Sequence, residues 1–103
     1  MSRVRAAVRK ESKDEREVSK EWRKLGYFEI KIEKANKAGV PDRFYAAKEL
    51  GLRFWCEWKR EDTDVLPGSQ QERRIEELRD QGETVIVAHS REDFWRQVQA
   101  MRK

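Results

Sequence analysis

Between Asp42 and Lys59, two runs of strand-forming residues stand only four residues apart. A connection as short as Lys48–Gly51 makes the flanking strands antiparallel neighbours. Asp42–Ala47 is the shorter run. In Leu52–Lys59, Phe54, Cys56 and Trp58 fall on one face, and Arg53, Trp55, Glu57 and Lys59 on the other. A second constraint comes from Thr84–Ala88 (Thr-Val-Ile-Val-Ala), the one continuously apolar run, which is the signature of a central or parallel strand covered on both faces.

The remaining elements follow from periodicity and punctuation. Residues 12–25 read as a helix, with Val18, Trp22 and Leu25 at helical spacing and Gly26 closing the segment. Tyr27–Glu33 alternates as a half-buried strand does, with Phe28, Ile30 and Ile32 on one side. Residues 36–41 form a loop, and residues 60–68 a charged loop ending in Pro-Gly. Ser69–Gln81 is a helix, with Ser69 and Glu72 spaced as a capping box and Gly82 as terminator. Ser90 caps a last helix carrying Phe94, Trp95, Val98 and Met101 on or near its inner face. The order α-β-β-β-α-β-α predicts one α/β domain over residues 1–103, a mixed four-stranded sheet flanked by helices.

Composition bounds the function. Charged residues make up 43% of the chain, but the net charge is only +4 and ten aromatics, four of them Trp, supply core material, so the chain folds rather than staying disordered. A pI near 9.4 suits a polyanionic partner. The basic excess is local, with nine Lys/Arg against five Asp/Glu in residues 1–24. Such a segment can track phosphates or be a solvated helix with no ligand. One cysteine, Cys56, excludes an internal disulfide and fits a reducing compartment, and with a single histidine it leaves no zinc site of the usual type. No apolar run approaches the roughly 18–20 residues of a membrane span. Met1–Lys10 is basic without a following apolar stretch, so no signal peptide is expected, and a soluble cytoplasmic protein is.

The chemistry-bearing residues are Asp42, in Gly39-Val40-Pro41-Asp42, and Glu57 and Lys59, in Glu57-Trp58-Lys59, with fourteen residues between the two acids. If the register sets Asp42 opposite or diagonal to Glu57, the carboxylates lie within cross-strand reach. Like charges that close call for neutralisation, and Mg²⁺ or Mn²⁺ provides it while preferring hard oxygen ligands. The Trp58 carbonyl completes the protein's share of such a shell. Lys59, on the same face as Glu57, is placed to orient or deprotonate water or to stabilise charge on a phosphate. This is the minimal equipment for hydrolysing a phosphodiester.

Other positions keep two readings. Glu15 lies in line with Val18 and Trp22, as an inward acid would, yet Ser12-Lys13-Asp14-Glu15 also fits a capping box. Gln71 falls on the stripe of Ile75 and Leu78, where its amide needs a partner such as a metal-bound water or Lys59; alternatively it is a first-turn polar residue. Lys31 faces away from Ile30 and Ile32, toward DNA phosphate on the functional reading. His89 reads as an edge or capping histidine. The tryptophans are chiefly core, with Trp55 able to flank a substrate.

Together these positions resemble the stand-alone VRR-NUC domain of the PD-(D/E)XK nuclease superfamily, known from phages, bacteria and larger repair proteins. The likeness runs from about Glu15 to His89. Glu15…Val18…Trp22…Leu25-Gly26 matches the helix acid, Lys31 the strand lysine, and Gly39-Val40-Pro41-Asp42-Arg43 the segment with the metal-binding aspartate. Glu57-Trp58-Lys59 matches the Glu-x-Lys, and Gln71…Ile75…Leu78…Gly82 the glutamine helix. The resemblance implies a restriction-endonuclease-like core and a Mg²⁺/Mn²⁺-dependent DNA endonuclease leaving 5′-phosphates. It also implies a homodimer acting on four-way (Holliday) junctions or related branched DNA in a bacterial or phage-infected cell. On this reading Asp42 and Glu57, with the Trp58 carbonyl, hold metal, Glu15, Lys59 and Gln71 complete the catalytic set, and Lys31 and Arg43 contact DNA. Trp58 is bulkier than the family's usual aliphatic residue, and Glu61, Asp62 and Asp64 make loop 60–68 unusually acidic. Two other classes stay open: a structure-specific DNA-binding module that does not cut, and an α/β interaction protein whose charged surface binds another protein.

Overall fold

The computed structural model describes residues 11–102. The Met1–Lys10 stretch, and with it the basic excess of residues 1–24, lies outside the described residues. The elements are α1 (Lys13–Lys24), β1 (Phe28–Lys31), β2 (Arg43–Ala47), β3 (Leu52–Trp58), α2 (Gln70–Asp80), β4 (Val85–Ala88) and α3 (Arg91–Met101), in the expected order. A single 3-10 turn, Lys48–Leu50, joins β2 to β3 through Gly51 in a left-handed conformation. Each α-helix starts on a serine whose side chain accepts an amide three residues on: Ser12 from Glu15, Ser69 from Glu72, Ser90 from Asp93. Each such cap contributes about 1 kcal/mol.

The sheet is four-stranded and mixed, in the spatial order β1-β2-β3-β4. β1 and β3 both run antiparallel to β2, and β4 runs parallel to β3. The hairpin expected from the short connection is therefore present. β4 is parallel and apolar as expected, but it closes one edge of the sheet instead of lying centrally. Its apolar run reflects cover from helices on both faces, which an edge strand also receives when a crossover helix packs over it.

One face of the sheet carries the main core. Val18 and Trp22 of α1 and Phe94 and Val98 of α3 pack on Tyr45, Ala47, Phe54, Cys56, Trp58, Ile86 and Ala88. Aromatic rings dominate it: Trp22 meets Tyr45, Phe54 and Phe94 edge to face, and Trp58 stacks on Phe94 at 5.5 Å. The Tyr45 hydroxyl lies 3.0 Å from Ser19 Oγ and accepts from Trp58 Nε1, so the polar atoms of this core are satisfied among themselves.

Two apolar expectations are corrected. Leu25 is 55% exposed, because α1 ends at Lys24 and the chain turns away before a further turn can bury it. In β1, Phe28 and Ile30 are turned outward (56% and 43% exposed), while Glu29 and Lys31 lie on the core side. The cause is Arg43. Its buried guanidinium is opposite Lys31 in register and takes Glu29 as an ion-pair partner, and a charge so placed needs carboxylates more than the core needs two more apolar side chains. Among the described residues no helix is long and apolar enough to cross a membrane.

Candidate active site

The ladder between β2 and β3 pairs Arg43 with Cys56, so one further step sets Asp42 opposite Glu57. Directly opposed residues of antiparallel strands have Cβ atoms about 4.5–5.5 Å apart on one face. Asp42 Oδ2 accepts the Trp58 backbone N–H at 2.8 Å, which holds its carboxylate against the Glu57-Trp58 peptide. On the other side, the Asp42 carbonyl accepts from Ile32 N–H at 2.7 Å, so the aspartate is fixed from both neighbouring strands.

Glu57 is buried (1% exposed). Its Oε2 accepts from Gln71 Nε2 at 2.9 Å and lies 3.7 Å from Lys59 Nζ. The stripe position expected for Gln71 is correct, and its partner is the glutamate itself. Lys59 is one-fifth exposed and lines two clefts. The smaller, of about 260 Å³, is bordered by Ser12, Glu57, Trp58, Lys59, Arg60, Thr63 and Gln71. The larger, of about 690 Å³, lies between loop 60–68 and the start of α2.

The loop before Asp42 is locked by a close approach. Gly39 has φ +84°, and a Cβ there would sit 2.5 Å from the Gln70 carbonyl oxygen. Glycine is thus required twice, for its conformation and for contact with the first turn of α2. This contact ties the Asp42 segment to the helix that carries Gln71.

Arg43 is not on a DNA-facing surface, contrary to the expectation for it. It is 5% exposed. Its Nε donates to Glu15 at 2.8 Å, Nη1 to Glu29, and Nη2 to Glu11. Burial works against its charge, but the Glu15 hydrogen bond and the Glu15 and Glu29 charges outweigh this and hold it above the ordinary arginine value. Glu15 itself is fully buried, and both of its sequence readings are partly met: its N–H is capped by Ser12, while its carboxylate turns inward to Arg43. Lys31 is about one-third exposed on the charged face of β1, 4.0 Å from Glu33.

Burial first, then the charges of Asp42, Glu15 and Glu57, push the Cys56 thiol well above its ordinary range. Among the described residues no group of three or more His, Cys, Asp or Glu side chains is arranged to hold a metal ion. A cation at this strand end would therefore rest on the Asp42 and Glu57 carboxylates and the Trp58 carbonyl, a set of hard oxygens suited to Mg²⁺ or Mn²⁺.

His89, expected at an edge or a cap, directly precedes the N-cap Ser90: its N–H donates to Asp93 Oδ2 at 2.9 Å, and its ring lies between Asp93 and Asp64. Trp55 packs edge to face on Phe44 and donates to Glu83, away from Glu57's partners. Sequence reasoning missed the carboxylate fork around Arg43 and the cleft-lining Ser12, Arg60 and Thr63. The signal for the fork was the charged alternate face of β1, set aside in favour of its apolar face. Comparison of the chain with protein-family models, curated proteins and solved structures finds no match.

Proposed function

We propose that this chain is a divalent-metal-dependent DNA endonuclease with a restriction-endonuclease-like core, similar to the stand-alone VRR-NUC domains. The reading rests above all on Asp42 standing opposite Glu57 while Glu57 Oε2 gathers both Gln71 and Lys59. A structural ion pair would not need a second acid facing Glu57 at a strand end, nor an amine lining two clefts.

The donor set fits a hard cation, with Asp42, Glu57 and the Trp58 carbonyl as its protein ligands. Each carboxylate has about four acceptor sites, so the hydrogen bonds already made are compatible with ligation. When bound, such an ion supplies Lewis acidity toward a phosphate oxygen and the attacking water. The residues supply the rest. Gln71 fixes the rotamer of Glu57, and the Asp42–Trp58 bond fixes Asp42, so little reorganisation is needed on binding. Lys59, held near Glu57 yet open to the cleft, donates to a non-bridging phosphate oxygen or to the water in line with the scissile bond. Glu15 acts as a positioning residue through Arg43, whose neighbour in sequence is Asp42. The products are a 5′-phosphate and a 3′-hydroxyl, and the substrate is DNA, with branched or junction forms favoured. A homodimer, working in the cytoplasm of a bacterial or phage-infected cell, would present two such sites for paired cuts.

Incubating the protein with supercoiled and branched DNA, with Mg²⁺, Mn²⁺ or EDTA, tests the reading. We expect cleavage with either metal, none with EDTA, and loss of at least about a hundredfold in rate for Asp42→Ala and for Lys59→Ala with unchanged circular dichroism. Tight, salt-sensitive DNA binding with no cleavage under either metal would replace this proposal with a non-cutting binding module.

A further inference from the structure

The larger cleft is not needed to hold a cation, yet it opens beside the candidate catalytic residues. Lys59, Thr63 and Gln71 line both it and the smaller cleft. Its other lining comes from Gly39 and Val40, from Asp62, Asp64 and Leu66 of loop 60–68, and from Ser69 and Gln70 at the start of α2. Leu66 is 68% exposed, the most exposed large apolar side chain among the described residues, and Pro67 follows it. The about 690 Å³ available is within the range of small-ligand sites.

We infer that this groove receives the base of an unpaired nucleotide next to the scissile phosphate, and that loop 60–68 selects against continuous duplex. The inference rests on the nuclease reading above and names its substrate class. Three observations carry it. First, the groove shares Lys59, Thr63 and Gln71 with the cleft of Glu57, so a strand whose phosphate lies at Lys59 has its adjoining nucleotide within reach of it. Second, away from Lys59 its chemistry suits a base: Val40 and Leu66 offer apolar contact, and Gln70 and Gln71 offer amides to a base edge. Apolar wedges such as Leu and Pro are used elsewhere to fill gaps between base steps. Third, Asp62 and Asp64 are exposed on its loop side. Carboxylates there repel the phosphates of a second strand, while an unstacked base carries no charge to repel.

Binding measured in EDTA, where cleavage cannot occur, tests this on the full chain. The probes are a flap DNA with 2-aminopurine as the unpaired base at the branch and a continuous duplex of the same sequence. We expect tighter binding to the flap and a change in 2-aminopurine emission on binding. Leu66→Ala should lower flap affinity about fivefold or more, on the scale of a lost base contact, with duplex affinity unchanged. The Asp62→Asn/Asp64→Asn double variant should raise duplex affinity several-fold and steepen its salt dependence. Both changes are on an exposed loop, and circular dichroism confirms folding. Equal wild-type affinity for flap and duplex, or variants that leave the ratio unchanged, would overturn the groove assignment even if cleavage occurs. Discrimination without cleavage in Mg²⁺ or Mn²⁺ would keep the groove and sink the nuclease.

Discussion

At the scale of single residues, the most consequential side chain is one whose role the sequence misassigns. Arg43 follows Asp42 directly, and a cation beside a candidate metal-binding acid reads naturally as a phosphate contact. In the folded chain it is buried with Glu11, Glu15 and Glu29 around its fork. Alternation was sufficient to see this: if Asp42 faces Glu57, its neighbour must point to the core side. By the same reasoning Asp42, Glu57, Lys59 and Gln71 were legible, because strand parity and helical spacing fix which side each occupies. The fork was not, because it joins three elements whose relative placement no local pattern encodes. Its energetics give a sharp expectation. Arg43→Met removes the guanidinium from beside the fully buried Glu15 and from Glu11 and Glu29, the last of which keeps Arg23, and should cost about 3–5 kcal/mol in urea denaturation. Adding Glu15→Gln to that variant should recover part of the loss, since the fully buried charge is then gone. A cost below about 1 kcal/mol for Arg43→Met, typical of an exposed pair, would mean that the fork is not formed in solution.

At the scale of elements, helix boundaries were read to within a residue because each helix has its own serine cap and the first two end at a glycine. The strands were read less well. In β1 the charged face is the covered one: period-two alternation says which residues share a face but not which face is covered, and the buried Arg43 decides that. The apolar composition of β4 fits a central or a parallel strand alike, and the structure makes it a parallel strand at the sheet edge. The cap of α3 supplies a pH signature. Asp93 is partly buried, which raises its carboxyl. The His89 N–H, Gln97, the His89 ring and Arg96 outweigh this and leave it below the ordinary value. A folded value below the unfolded one, near 3.9, means the stabilisation is complete above that pH and is lost as pH falls through the folded value. Wild type should therefore lose more stability between about pH 5 and pH 2 than Asp93→Asn does, in parallel denaturant titrations. Equal losses would show that the carboxylate makes no net contribution to the cap.

At the scale of the whole molecule, β3 is paired on both sides and covered on both faces, so its midpoint reports on the entire fold. Cys56 stands there, fully buried among the aromatic core and within the influence of Asp42, Glu15 and Glu57. Because its folded pKa is raised above the unfolded value near 8.5, the unfolded chain gives up this proton first as pH rises. Stability from this group is intact below about pH 8.5 and declines above it, a slope that Cys56→Ala should remove. The same burial means that a thiol reagent reaches the sulfur only when β3 leaves the sheet, so native labelling should follow global unfolding. This makes the thiol an assay for the proposed cation site that needs no DNA. An ion bound by Asp42 and Glu57 in the folded state alone stabilises it by RT ln(1 + [L]/Kd), and labelling under fast-reclosing conditions slows by the same factor. Mg²⁺ at about ten times its Kd should thus slow Cys56 labelling roughly tenfold, and Asp42→Ala should abolish that metal dependence, each variant being compared with its own metal-free rate because the Trp58 N–H loses its acceptor. Labelling indifferent to Mg²⁺ and Mn²⁺ at millimolar concentrations would separate the two acids from any role in holding a cation.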